Sequence, residues 1–178
     1  MKEKTSALKA AFPYTIPVLT GFTFLGIAYG ILMSSKNYGI GWTILMSIVV
    51  FAGSAQYFAI NFLTTAFNPV YALITTLMIN ARHLFYGISL LDKYKDTGKF
   101  KPYLIFGLCD ETFSIVCSTE HPKNIDKNWF YFFITVLNHI YWILGSFIGA
   151  WIGSIISFNT KGLDFVLTAL FVVIFIEQ

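Results

Sequence analysis

The stretch Asn80-Ala-Arg-His-Leu-Phe-Tyr86 places Arg82 and His83 inside a segment, Pro69 to Leu91, that carries no other charge. A guanidinium stays protonated in essentially any surroundings. At bilayer depth it costs roughly 3 kcal/mol on insertion scales, so it faces a bundle interior, a water-filled cavity or an opposite charge. The alternative is that Arg82 lies close enough to a helix end to snorkel to the headgroups. Only the run Leu84 to Leu91, about two helical turns, separates it from a lysine-rich loop, so the residues alone leave both readings open.

The composition surrounding this stretch is that of a membrane protein. Of 178 residues, 56% are hydrophobic, 19% aromatic and only 12% charged, against about 25% charged in soluble domains, and the mean hydropathy is +0.67. The natural solvent is a lipid bilayer. The net charge of +3 is small, and the lysines sit in short connectors without a basic stripe, so nucleic acid is not an expected partner. Cys109 and Cys117 are eight positions apart in one apolar run, roughly 12 Å along a helix and too far for a disulfide. Lys2, Lys4 and Lys9 before an apolar run imitate a signal peptide, but the run continues past Gly30 and further spans follow, so it reads as a retained first helix.

Taken in order, the first apolar run extends from about Ile16 to Met33, with Pro13 and Pro17 expected at its start, where a missing amide is cheapest. Gly26 and Gly30 stand four apart and predict a close helix neighbour. The uncharged stretch Gly39 to Ala81 is too long for one crossing and must turn back. Asn68-Pro69 is one break; Phe51-Ala-Gly-Ser-Ala-Gln-Tyr57 is a second candidate, with small residues and an amide interrupting the aliphatic pattern. Six simple spans with a cytoplasmic start would put Lys93, Lys95, Lys99 and Lys101 outside, against the positive-inside tendency. A re-entrant pair of half-helices between Gly39 and Phe67, broken near Gly53 to Gln56, returns both lysine clusters to the same side. Irregular backbone at that depth is tolerated where it lines a cavity or is covered by protein.

Further anomalies follow. Asp110 and Glu111 lie adjacent in the interior of the run Tyr103 to Thr119, about 100° apart if helical, so at most one aims straight into a site. Either one neutralises Arg82, or one takes a substrate ammonium or a proton, and the two roles are compatible. Asn80 and His83, like Arg82 and Tyr86, share a helix face if the helix is continuous. His121 reads as a solvated loop histidine. Between Trp129 and Phe158, Asn138, Trp142, Gly145, Gly149 and Gly153 recur at three- and four-residue steps; the glycines read as a packing seam and His139 as an interhelical hydrogen-bonder. Asp164 is placed to cap a last helix running to Ile176. The expected fold is therefore all-α: a polytopic transmembrane bundle of about five to six hydrophobic segments, forming a single integral membrane domain over residues 1–178.

Four motifs, Phe51-Ala-Gly-Ser-Ala-Gln56, Asn80-Ala-Arg-His83 with Tyr86-Gly87, Asp110-Glu-Thr-Phe113 and Gly162-Leu-Asp-Phe165, resemble in this order the AzlC-type branched-chain amino acid permeases. The resemblance implies a multi-pass protein of the bacterial inner membrane that acts with a small hydrophobic AzlD-type subunit in exporting leucine, isoleucine, valine and, by overlap, methionine. It also implies that the chain lacks a C-terminal hydrophobic portion usual in the family. A zwitterionic aliphatic amino acid needs a cation or amide donors for its carboxylate, an acceptor for its ammonium, and an apolar wall. On this reading Arg82, or backbone amides near Gly53, Ser54 and Gln56, holds the carboxylate, with Asn80 and Asn138 as further polar contacts. Asp110 or Glu111 takes the ammonium or a coupling proton, with His83 as relay. No phosphate-binding loop, metal-ligand pattern or nucleophile motif occurs, so a pump or intramembrane enzyme is disfavoured and no cofactor or metal is expected. The other alternative is a non-transporting structural subunit, for which Gln56, Asn61, Asn80 and Asn138 are an excess of amides.

Overall fold

A computed structural model of the protein describes residues 2–64 and 68–156, together with Gly162, Phe165, Ala169 and Val172. Among these residues the chain forms eight α-helices and a short 3-10 turn, and no strand. They are α1 (Lys2–Ser35), α2 (Ile40–Val49), α3 (Gly53–Thr64), α4 (Pro69–Asn80), α5 (Arg82–Ser89), α6 (Lys101–Phe106), α7 (Asp110–Ser118) and α8 (Lys127–Ile155). The stretches Glu3–Ser35 and Lys127–Ile155 are each long and apolar enough to cross a membrane. The helices between them hold from 6 to 12 residues, short of the roughly 20 that a single crossing needs.

Several local expectations are adjusted by the backbone. α1 begins about four turns before Ile16, so Pro13 and Pro17 lie inside it rather than at its start. Side-chain hydrogen bonding supports the helix between them: the Thr15 hydroxyl donates to the Phe12 carbonyl at 2.9 Å and accepts from Tyr141 at 3.1 Å. The break expected near Gly53 to Gln56 falls just before it, between the end of α2 at Val49 and the start of α3 at Gly53, with Phe51 at φ 39°. A non-glycine residue there has left the right-handed helical region. The run Tyr103 to Thr119 is also interrupted, after Phe106, so Asp110 and Glu111 open α7 instead of lying in a helix interior. Carboxylates are favoured in a first turn, where unpaired amides and the helix dipole present positive charge. Gly107 in this break lets α8 pack close, because a Cβ there would run into the Thr135 side chain and force it to shift. Asn68 caps α4 as its position before Pro69 suggests, its side-chain oxygen accepting from the amides of Val70 and Tyr71 at 3.1 Å each. Phe165, Ala169 and Val172 are helical; Asp164, expected to cap that segment, lies outside the described residues.

The chain divides into two compact units, one of residues 1–22 and 77–141, the other of residues 23–76 and 142–178. The core of the first gathers Ala11, Leu90, Leu104, Val116, Phe130 and Ile134, all buried. At its rim the Lys4 ammonium lies 4.6 Å from the centre of the Trp129 ring, which packs in turn on Phe132 and Phe133. In the second unit the glycine seam is realised. A Cβ on Gly26 would stand 2.9 Å from the Ser146 nitrogen, and Cβ atoms on Gly30 and Gly149 would meet backbone of Ser146 and Ile27 more closely still. The two helices approach here with backbone against backbone, as small residues permit.

Candidate functional site

Arg82 opens α5 and Asp110 opens α7, and their side chains meet: Nη1 lies 2.7 Å from Oδ2. Tyr86, one turn along α5 from Arg82, donates its hydroxyl to the other carboxylate oxygen at 2.8 Å. Both Asp110 oxygens are thus engaged from one face of α5, the face that the four-residue spacing predicts. The pair is partly buried, with side chains 22% and 29% exposed. The Tyr86 ring stacks on Phe113 at 4.2 Å between centroids, which holds the hydroxyl at the carboxylate.

α7 is charge-matched at both ends. Asp110 and half-buried Glu111 occupy its first turn. At the other end the Lys93 ammonium donates to the carbonyls of Val116, Cys117 and Thr119 at 2.8, 3.0 and 3.1 Å and pairs with Glu120 at 3.0 Å. A cation on the last carbonyls satisfies otherwise unpaired acceptors and complements the helix dipole. The middle of the turn is tied to α8: Asn138, fully buried, donates to the Thr112 hydroxyl at 3.1 Å. Thr112 also lies 3.1 Å from the Cys109 sulfur. The Asn138 side-chain oxygen is buried without a hydrogen-bond partner among the described residues, an arrangement that costs free energy unless a donor arrives.

Two histidines are placed by this unit. His83 directs Nδ1 to the Asn80 carbonyl at 3.2 Å and sets its ring against Tyr86 at 5.6 Å. His139 bonds the Tyr103 hydroxyl at 3.0 Å, as expected of an interhelical hydrogen-bonder. His121, in contrast, is half-buried against the Tyr131 ring rather than solvated.

Gly53, Ser54 and Gln56 belong to the other unit, in the first turn of α3. The Gln56 amide is engaged at both ends: its oxygen accepts from the Trp142 indole at 2.8 Å, and its nitrogen donates to Ser47 at 3.4 Å. Trp142 stacks on Tyr29, whose other neighbour is Tyr57, and Tyr57 donates to the Leu25 carbonyl at 2.7 Å. The structure therefore brings Arg82, Tyr86 and Asp110 together and ties Asn138 to the first turn of α7, while Gly53, Ser54 and Gln56 form a cluster of their own. Sequence reasoning did not identify Lys93 and Thr112.

A family model described as AzlC protein matches residues 17–156. The chain is 61% identical over 173 residues to the branched-chain amino acid transport protein AzlC of Bacillus subtilis, a match covering 97% of this chain and 68% of that protein. The chain belongs to the AzlC family. Relatives of this AzlC chain include membrane proteins of Haemophilus influenzae, 47% identical over 175 residues (98% of this chain, 72% of the relative), and of Helicobacter pylori, 39% identical over 178 residues (100% and 78%). No solved structure matches it. The AzlC match takes in the Arg82, Tyr86, Asp110 and Asn138 cluster.

Proposed function

We propose that the protein is a secondary transporter of branched-chain and related hydrophobic amino acids, working as an exporter in the bacterial inner membrane. The observation that carries this reading is the 61% identity to a branched-chain amino acid transport protein. The chain crosses the membrane several times in it, acts with a small hydrophobic membrane subunit of the AzlD type, and performs no chemistry on its substrate.

In this reading the Arg82–Asp110 pair is the exchange element. An incoming amino acid offers a carboxylate that competes with Asp110 for the guanidinium. Asp110, released from Arg82 but still held by Tyr86, then accepts the substrate ammonium or a coupling proton, with Glu111 as the neighbouring acceptor and His83 as relay. Charge is conserved at each stage, so no bare ion is left at low dielectric. The Asn138 side-chain oxygen accepts from the ammonium, Asn80 lines the approach, and the first-turn amides of Gly53, Ser54 and Gln56 form a second station for a carboxylate. Apolar walls discriminate one methylene by only about 1 to 3 kcal/mol, so leucine, isoleucine, valine and methionine share the pathway.

The test is leucine efflux from cells loaded with a leucine dipeptide, comparing cells with the protein alone, with the small subunit also present, and with neither. Lower internal and higher external leucine only with both establishes an exporter with an obligate partner. Identical leucine levels in all cells, with both proteins in the membrane, removes leucine export.

A further inference from the structure

A cavity of about 340 Å³ lies along α5, bounded by His83, Leu84, Ile88 and Leu91 and closed by residues that include Lys101 and Ile105 of α6. The helical part of that wall, from His83 to the end of α5 at Ser89, is about 9 Å long. Its walls are apolar and open outward: Leu84, Ile88, Leu91 and Ile105 are 71, 67, 63 and 56% exposed. One polar wall group is already engaged, His83 through the Asn80 carbonyl. No carboxylate lines the cavity, so it has no acceptor charge for a zwitterion's ammonium.

The end nearest the connector is positive. Residues 92–101 carry Lys93, Lys95, Lys99 and Lys101 against Asp92 and Asp96, four cations less two anions, a net of +2. Lys93 is committed to the end of α7 and to Glu120, whereas Lys101 stands exposed at the cavity without an ion pair among the described residues. A slot that is open along an apolar length and has an exposed lysine in its lining suits a phospholipid rather than a soluble anion, which would leave the apolar length unfilled.

We propose that this cavity is a binding site for one anionic phospholipid, with an acyl chain along Leu84, Ile88 and Leu91 and the phosphate on Lys101. A symmetric contact of two copies through this face would bring two Lys101 side chains to the same interface, and like charges oppose it. The site lies on the outer side of the helix that presents Arg82 and Tyr86 to Asp110, and its occupant completes the packing of α5. The inference is independent of which amino acid the protein carries.

The test is native mass spectrometry of the purified protein after exchange into micelles holding equal amounts of phosphatidylglycerol and phosphatidylcholine. The expected result is one retained lipid, with phosphatidylglycerol favoured about fivefold, the factor expected of one lysine at an anionic lipid surface. Lys101→Gln brings the ratio to about one, Lys101→Glu, which places a negative charge there, brings it below one, and Ile88→Trp, which fills the slot, loses both lipids. Equal retention of the two lipids by the unmodified protein, an unchanged ratio in both Lys101 variants, displacement by excess glycerol phosphate, or a protein dimer in place of bound lipid would each overturn the proposal.

Discussion

Asp110 receives the Arg82 guanidinium on one carboxylate oxygen at 2.7 Å and the Tyr86 hydroxyl on the other at 2.8 Å. The arginine and the aspartate that interrupt the apolar runs are thereby matched to each other, and neither can be changed alone without stranding its partner. Arg82→Gln and Asp110→Asn are each expected to lower stability, by between about 1 kcal/mol, as for exposed pairs, and about 3 kcal/mol, as for buried ones. The double variant Arg82→Gln/Asp110→Asn recovers most of that loss but transports no leucine. Thermal unfolding and efflux measured on the same preparations check this. Recovery of both would make the pair purely structural.

Asn138→Leu removes a buried oxygen that lacks a partner among the described residues and one hydrogen bond to Thr112. The two effects oppose each other, so stability changes little. If the oxygen accepts from a substrate ammonium, KM for leucine rises about tenfold or more, as for loss of a hydrogen bond to a charged group. A marked drop in unfolding temperature with KM unchanged would assign Asn138 to helix packing instead.

The glycine seam separates steric from conformational effects. Gly149→Ala and Gly30→Ala place a methyl against backbone atoms, and the misfit is expected to cost about 1 to 3 kcal/mol. Gly21→Ala has open space around the new methyl and is expected to be neutral or slightly stabilising. Folded yield after mild heating ranks the three, and equal behaviour would deny the close approach of the two backbones.

Topology is testable at two connectors. With Cys109 and Cys117, both free thiols, replaced by serine, single cysteines at positions 36 and 97 are expected to label from opposite faces of the membrane if α2 and α3 are half-helices returning to the side they left. Labelling from the same face would replace that arrangement with a complete crossing.

The connector supplies a further contrast. Lys93→Met withdraws the cation from the last carbonyls of α7, with an expected loss of about 1 kcal/mol, while Lys95→Met, exposed in the same connector, changes stability by less. Unfolding temperatures of the two variants decide whether the cation on the last carbonyls of α7 stabilises the fold.

Much of this protein was legible because helical periodicity and hydropathy are local. Composition and hydropathy marked the chain as a helical membrane protein, as the described residues are, and Arg82 in an apolar run required a partner. Four-residue spacing put Tyr86 on the face of Arg82 and aligned Gly145, Gly149 and Gly153, and ordered motifs pointed to the family. Tertiary structure decided what periodicity could not. The carboxylate that meets Arg82 depends on an interruption after Phe106 that resets the phase of the helix, and the Thr135 side chain, far along the chain, packs into the space that a side chain at Gly107 would enter. The start of α1 before its two prolines, the capture of Gln56 by Trp142 and of the end of α7 by Lys93 have the same origin. Each depends on a donor or a van der Waals surface brought from a distant part of the sequence, and such an encounter exists only once the chain has folded.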